Sequence, residues 1–163
     1  MIGLLLERFC MLLRVLLGVL MVALALPVAA QVIARYTGII PVYLWTEELA
    51  TFIFVWIVMI GSMVAVWDGS HFHVEVMRQA KSPLLKLIQN GFVFVLLILF
   101  GILFAWYGIE YTKFGAIQRS VMMGANMAVT HISVPLAGLM WAVFSSYRLA
   151  EAIREYRDSR VAS

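Results

Sequence analysis

Few residues in this chain could do chemistry, and each stands at a marked place. Two adjacent carboxylates, Glu47 and Glu48, follow Trp45 and Thr46. Two imidazoles, His71 and His73, alternate with apolar residues between Asp68 and Glu75. A third, His131, sits inside an apolar run, after Asn126 and Thr130 and ahead of Ser133 and Pro135. One cysteine, Cys10, completes the set.

Paired carboxylates can share a proton for acid–base work, pair with an arginine, or face the positive end of a helix dipole. No nucleophile or metal cluster accompanies Glu47 and Glu48, so catalysis is the weakest of the three. Thr46 is placed to cap a helix whose first turn then holds both acids. Arg35 is close enough in sequence for an arginine–carboxylate lock between the first two helices. His71 and His73, two residues apart, need not share a helical face, and a metal would require further ligands. The favoured reading there is a hydrogen-bonded turn at the membrane surface. An ionisable group inside a membrane span is a functional-site hypothesis by default, and His131 is one. Pro135 frees the carbonyl four residues back, and the hydroxyls of Thr130 and Ser133 can satisfy the disturbed backbone. A hydrogen-bonded kink and a relay are both open. A lone cysteine excludes an internal disulfide. No metal or cofactor site emerges from these residues.

The elements that must position them are membrane helices. The chain has 163 residues, of which 64% are hydrophobic and 13% charged, against roughly 45–50% and 25% in soluble domains. That much apolar surface exceeds what a soluble core of this size can hide. Four continuous apolar stretches, too long for barrel strands of ~10 residues, give an all-α class. The expected architecture is an integral membrane protein with one domain of four transmembrane helices, spanning about 12–35, 47–68, 84–109 and 121–146. An inner loop over 69–83 and a basic, helix-prone tail over 147–163 complete it. Ser82-Pro83 reads as the cap and first residue of the third helix. Glu110, Tyr111, Lys113 and Arg119 read as a second outer loop. The start imitates a signal peptide, but its apolar run exceeds the 7–15 residues of a signal's core, so a retained helix is expected. Residues 1–14 are an interfacial lead-in or an extension of that helix.

Charge sets the orientation. Nine of the 12 basic residues fall in the N-terminal segment, the inner loop with the start of the third helix (Lys86), and the tail; Arg35, Lys113 and Arg119 lie opposite. The positive-inside bias puts both termini in the cytoplasm. Tyr36, Tyr43 and Trp45 suit the aromatic belt at the other face. The basic balance reads as topology and attraction to lipid headgroups, not nucleic-acid binding. Small residues four apart, such as Gly61 with Ala65, Gly101 with Ala105 and Gly138 with Ala142, suit close helix packing in lipid.

One ordered set of residues resembles a family. Arg35-Tyr36, Trp45-Thr46-Glu47-Glu48-Leu49, Trp56, Gly61 and Gly69-Ser70-His71-Phe72-His73-Val74-Glu75 are similar to the small, four-helix, DctQ-type membrane subunit of TRAP (tripartite ATP-independent periplasmic) transporters. His73 stands where that family usually has Arg, and Glu75 where it has Asp. Over the rest of the chain the resemblance rests on hydropathy, length, and Pro135 followed by Leu-Ala-Gly. It implies a non-catalytic subunit of a sodium-coupled organic-acid transporter in the bacterial inner membrane. Its partners would be a large membrane subunit carrying the sodium and substrate sites, and a soluble periplasmic binding protein. The small subunit would pack on and stabilise the scaffold of the large one and help to seat the soluble protein. Phospholipid can fill the joint between subunits. On that view Arg35, Trp45, Glu47 and Glu48 face the periplasm, and His71, His73 and Glu75 face the cytoplasm.

Two other classes compete. A haem- or quinone-binding anchor of a respiratory enzyme would need paired histidines at one depth. His131 is expected about ten residues, ~15 Å, inside its span, whereas His71 and His73 lie beyond the inner end of theirs. A small proton-coupled exporter would want an acid inside a span, and all nine acids read as lying near ends or in loops. A self-sufficient carrier would want broken helices at mid-membrane, and none is evident.

Overall fold

The computed structural model describes residues 2–37, 43–69 and 83–161. His71, His73, Glu75 and most of the expected inner loop lie outside them. The described chain forms five helices: α1 (Ile2–Thr37), α2 (Trp45–Asp68), α3 (Pro83–Ala116), the single turn α4 (Ala128–His131) and α5 (Ser133–Val161). Four stretches are long and apolar enough to cross a membrane: Gly3–Thr37, Trp45–Asp68, Ile88–Ala116 and Ala128–Asp158. The class is therefore all-α with four spans.

Residues 2–14 form an extension of α1, the second of the two arrangements expected for them. Several boundaries differ from the sequence reading. Thr46 does not cap α2: that helix opens at Trp45 with Leu44 before it, and the Thr46 hydroxyl donates to the Tyr43 carbonyl at 2.6 Å. Glu110, Tyr111 and Lys113 belong to α3, not to a loop. A 2.8 Å ion pair between Glu110 and Lys113, one turn apart, supports that last stretch of helix. The fourth span, expected from 121, begins at Ala128. The chain before it is folded by Gly124, whose φ of 66° suits glycine.

The tightest contact in the bundle joins α3 to α5, and glycines spaced by seven make it. A Cβ at Gly101 would stand 2.7 Å from the Gly138 carbonyl and 2.9 Å from the Ala142 nitrogen. One at Gly108 would stand 2.8 Å from Pro135, and one at Gly115 would overlap the His131 ring. Seven residues are about two turns, so the three glycines form one seam along α3. In lipid, where no hydrophobic effect drives helices together, such backbone approach is what packing gains from small residues. Gly61 is different: a Cβ there would meet only a Leu17 methyl, at 3.9 Å. The core under α1, α2 and α5 is Cys10, Leu13, Ile60, Met63, Val64, Val66, Ala137 and Phe144.

Candidate functional site

At the Trp45 end of the bundle the two adjacent acids take separate partners. Glu47 Oε1 lies 3.8 Å from a guanidinium nitrogen of Arg35 on α1, with both side chains at least half exposed. Glu48 turns the other way, into the segment that joins α3 to α4. Its carboxylate accepts the Ser120 hydroxyl in a very short hydrogen bond. It also accepts three successive backbone N–H groups: Val121 at 3.1 Å, Met122 at 3.1 and 3.2 Å, and Met123 at 2.9 Å. Successive N–H groups aimed at one point form an anion nest, and here the chain fills it with its own carboxylate. Charge-assisted bonds of this type are the stronger kind.

The nest is a small hairpin. Ser120 N–H donates to Ala125 O at 2.8 Å, Met127 N–H to Gln118 O at 3.2 Å, and Gly124 N–H to Ser120 O at 3.0 Å. Arg119 and Asn126 face one another in an isolated antiparallel bridge. The Asn126 side chain donates to Ala116 O at 3.2 Å and accepts Ala128 N–H at 2.8 Å. It thus links the end of α3 to the start of α4. Beside the nest lies an open cleft of about 570 Å³, lined by Glu47, Glu48, Thr51, Phe52, Gln118, Arg119, Ser120, Val121 and Met127.

His131 ends α4, one turn below that hairpin. It is three residues, or about 5 Å, from the start of the helix, not the ~15 Å expected from sequence. The cause is the hairpin, which takes the residues expected to form the first turns of the span. The ring is 6% exposed and stacks on Tyr111, with centroids 3.9 Å apart. Its Nδ1 is 3.2 Å from the Tyr111 carbonyl. A carbonyl only accepts, so this bond needs the proton on Nδ1. Past Ile132 the helix restarts as α5, with Pro135 in its first turn and the Ser133 hydroxyl donating to Thr130 O at 2.6 Å. Ser133 thus plays its expected part in a hydrogen-bonded kink, whereas the buried Thr130 hydroxyl, expected to share it, has no hydrogen-bond partner among the described residues. Trp56 ties α2 to the same place, its indole N–H donating to Val129 O at 3.1 Å.

The Asp68 end of α2 is held by side chains. Gly69, at φ 66°, closes the helix with its N–H on Ala65 O at 3.1 Å. Arg148 of α5 donates to the Trp67 carbonyl at 2.6 Å, and its guanidinium lies 5.3 Å from the Trp67 ring. Arg14 of α1 pairs with Asp68. Trp67 stacks on Tyr147 at 5.8 Å and meets the edge of Phe144 at 5.2 Å.

The structure brings Arg35, Trp45, Glu47 and Glu48 to one end, with Trp45 exposed and tilted against Tyr43 at 6.3 Å. Trp56, His131 and Pro135 gather below them. Gly61 stands apart, against α1. Sequence reasoning missed Ser120, the three N–H groups after it, Arg148, and the Arg14–Asp68 pair. Gly124 and Asn126, both turn formers, were the signal for the hairpin.

A protein-family model described as "Tripartite ATP-independent periplasmic transporters, DctQ component" matches residues 24–155. No curated protein sequence matches the chain. The matched stretch covers α2, α3, the hairpin and α4, with the last part of α1 from residue 24 and most of α5. The chain belongs to the DctQ family: it is a small membrane component of a TRAP transporter.

Proposed function

From that membership we propose that the chain is the non-catalytic scaffold subunit of a sodium-coupled TRAP transporter for organic acids. It packs on the large membrane subunit, stabilises it, and offers its Trp45 end to the periplasmic binding protein. Sodium and substrate are held by the large subunit. Phospholipid fills gaps at the joint. The complex sits in a bacterial inner membrane with both termini of this chain in the cytoplasm, as the distribution of Arg and Lys favours.

One observation carries this reading. The carboxylate best placed for chemistry, Glu48, is spent on four donors of its own chain. A group so occupied fixes a surface instead of moving a proton or binding substrate. The surface it fixes, with Arg35 and Glu47 beside it, is polar and open. The competing respiratory-anchor reading gains nothing from the family match, and the Nδ1 of His131 is already taken by a backbone carbonyl.

The test is purification of the tagged chain in mild detergent from its native host, followed by uptake in proteoliposomes. A stoichiometric partner of many spans should co-purify. Uptake of an organic acid should require that partner, this chain, the binding protein and an inward sodium gradient. Uptake that is indifferent to this chain or to sodium would contradict the proposal, as would a haem absorption band on the purified complex.

A further inference from the structure

The outward faces of α1 and α3 have different chemistry at the same depth. Along α1 the exposed side chains Leu5, Leu12, Val15, Val19, Val22 and Leu26 are aliphatic; Arg8, exposed on the same stripe, lies beyond Arg14 at the Asp68 end. Acyl chains solvate such a stripe without loss. The stripe on α3 opposite its glycine seam carries Trp106 (71% exposed), Tyr107 (68%) and the Glu110–Lys113 pair, whose side chains are 67% and 68% exposed. The indole N–H and the phenol O–H have no hydrogen-bond partner among the described residues.

Neighbouring helices give the depth of these groups. The Trp141 indole N–H donates to the Ser62 hydroxyl at 3.2 Å, which sets residue 141 of α5 level with residue 62 of α2. Trp67 beside Phe144 and Tyr147 keeps the same register further along. Pro135, six residues above Trp141, therefore lies near the level of Trp56. Gly108 packs on Pro135, so Trp106 and Tyr107 are level with the middle of the charge-free run Ala50–Trp67 of α2. Glu110 is only about 6 Å beyond Trp106 at ~1.5 Å per residue.

Trp and Tyr belong at the headgroup level, where the polar end stays wet. Here they stand near mid-bilayer, with an exposed ion pair just above. In hydrocarbon, unpartnered N–H and O–H groups are costly, and charged side chains almost always face protein or a water-filled cavity. Lys113 can snorkel outward, but the shorter Glu110 has less reach.

We propose that this face of α3, around Trp106, Tyr107, Glu110 and Lys113, is where the large membrane subunit docks, and that the outward face of α1 meets lipid. The partner surface is a membrane-embedded protein face that supplies acceptors to the indole and phenol, and polar groups to the ion pair. The assignment rests on the proposed pairing with a large subunit and adds which side of the small one is used.

The test is photo-crosslinking in native membranes with the whole complex expressed. Benzoylphenylalanine is placed singly at positions 103, 107 and 114 on α3, and at 15, 19 and 22 on α1. Co-purification of the large subunit with the unsubstituted chain is scored separately. A strong adduct to the large subunit from α3 positions, with none above background from α1, is the expected result. Adducts from α1 alone, or only lipid adducts from α3, would overturn the docking face while leaving the pairing intact. No large partner on the unsubstituted chain would overturn both. Any α3 variant that does not accumulate is replaced by position 96 or 99 on the same stripe, so every result decides.

Discussion

The two ends of α2 are fixed by opposite means. At the Glu48 end, a side chain of α2 is gripped by the backbone of a hairpin. At the Asp68 end, the backbone of α2 is gripped by a side chain, Arg148, with Arg14 on the adjacent carboxylate. Both suit the helix dipole, with the anion at the N-terminus and the cation at the C-terminus. They differ in what they organise. Glu48 shapes ten residues of chain that have no regular structure of their own. Arg148 and Trp67 only tie together two helices that would form anyway. The Glu48 end therefore builds a surface, and the Asp68 end aligns a bundle.

This contrast can be broken experimentally, and the largest effect is expected at Glu48. Glu48→Gln replaces one acceptor oxygen with an amide that faces N–H donors, and Glu48→Ala removes all acceptors. Either should lower thermal stability, loosen the 118–127 hairpin and reduce uptake. The double Glu47→Gln, Glu48→Gln variant should look like Glu48→Gln alone. Unchanged assembly and uptake would reduce Glu48 to a favourable charge at a helix start. His131→Ala comes next: it removes a stacked, hydrogen-bonded ring from beneath the same hairpin, and a loss of about 1–3 kcal/mol is expected. Substrate preference should stay the same. An altered preference with normal complex yield would contradict the scaffold role.

At the other end, Arg148→Met keeps the apolar stem but loses the Trp67 carbonyl bond and the cation over the indole. A loss of about 1 kcal/mol in detergent unfolding is expected, with the hairpin's exchange protection untouched. Loss of that protection would mean that the two ends are coupled through α2. The smallest effect belongs to Glu47→Gln. Its 3.8 Å contact with Arg35 is exposed, and stability should move by less than ~0.5 kcal/mol. A larger change would promote that pair from surface contact to a true lock between α1 and α2.

Much of the bundle was legible because apolar run length is a strong signal. The boundaries that failed did so for identifiable reasons. Glu110 and Lys113 look like loop charges until the ion pair between them is seen to lie on a helix. Residues 121–127 are apolar enough to extend a span, and only Gly124 and Asn126 argue for a turn. The glycine seam was half in view: Gly101 and Gly138 stood out for their four-residue partners, while the seven-residue spacing to Gly108 and Gly115 identifies the face. The grip on Glu48 was not legible at all. Its donors are main-chain N–H groups, which every residue but proline carries. By contrast Arg148 and Asp68 are charged residues at the ends of apolar runs, where a partner is always worth seeking.

The most direct test of the Glu48 account is hydrogen–deuterium exchange of the peptide covering 117–127, compared between the unsubstituted chain and Glu48→Gln in the same detergent. The account predicts slow exchange at the amides of Val121, Met122 and Met123 in the first and rapid exchange in the second, with peptides of α2 and α5 unchanged. Fast exchange in the unsubstituted chain, or equal protection in both, would contradict it.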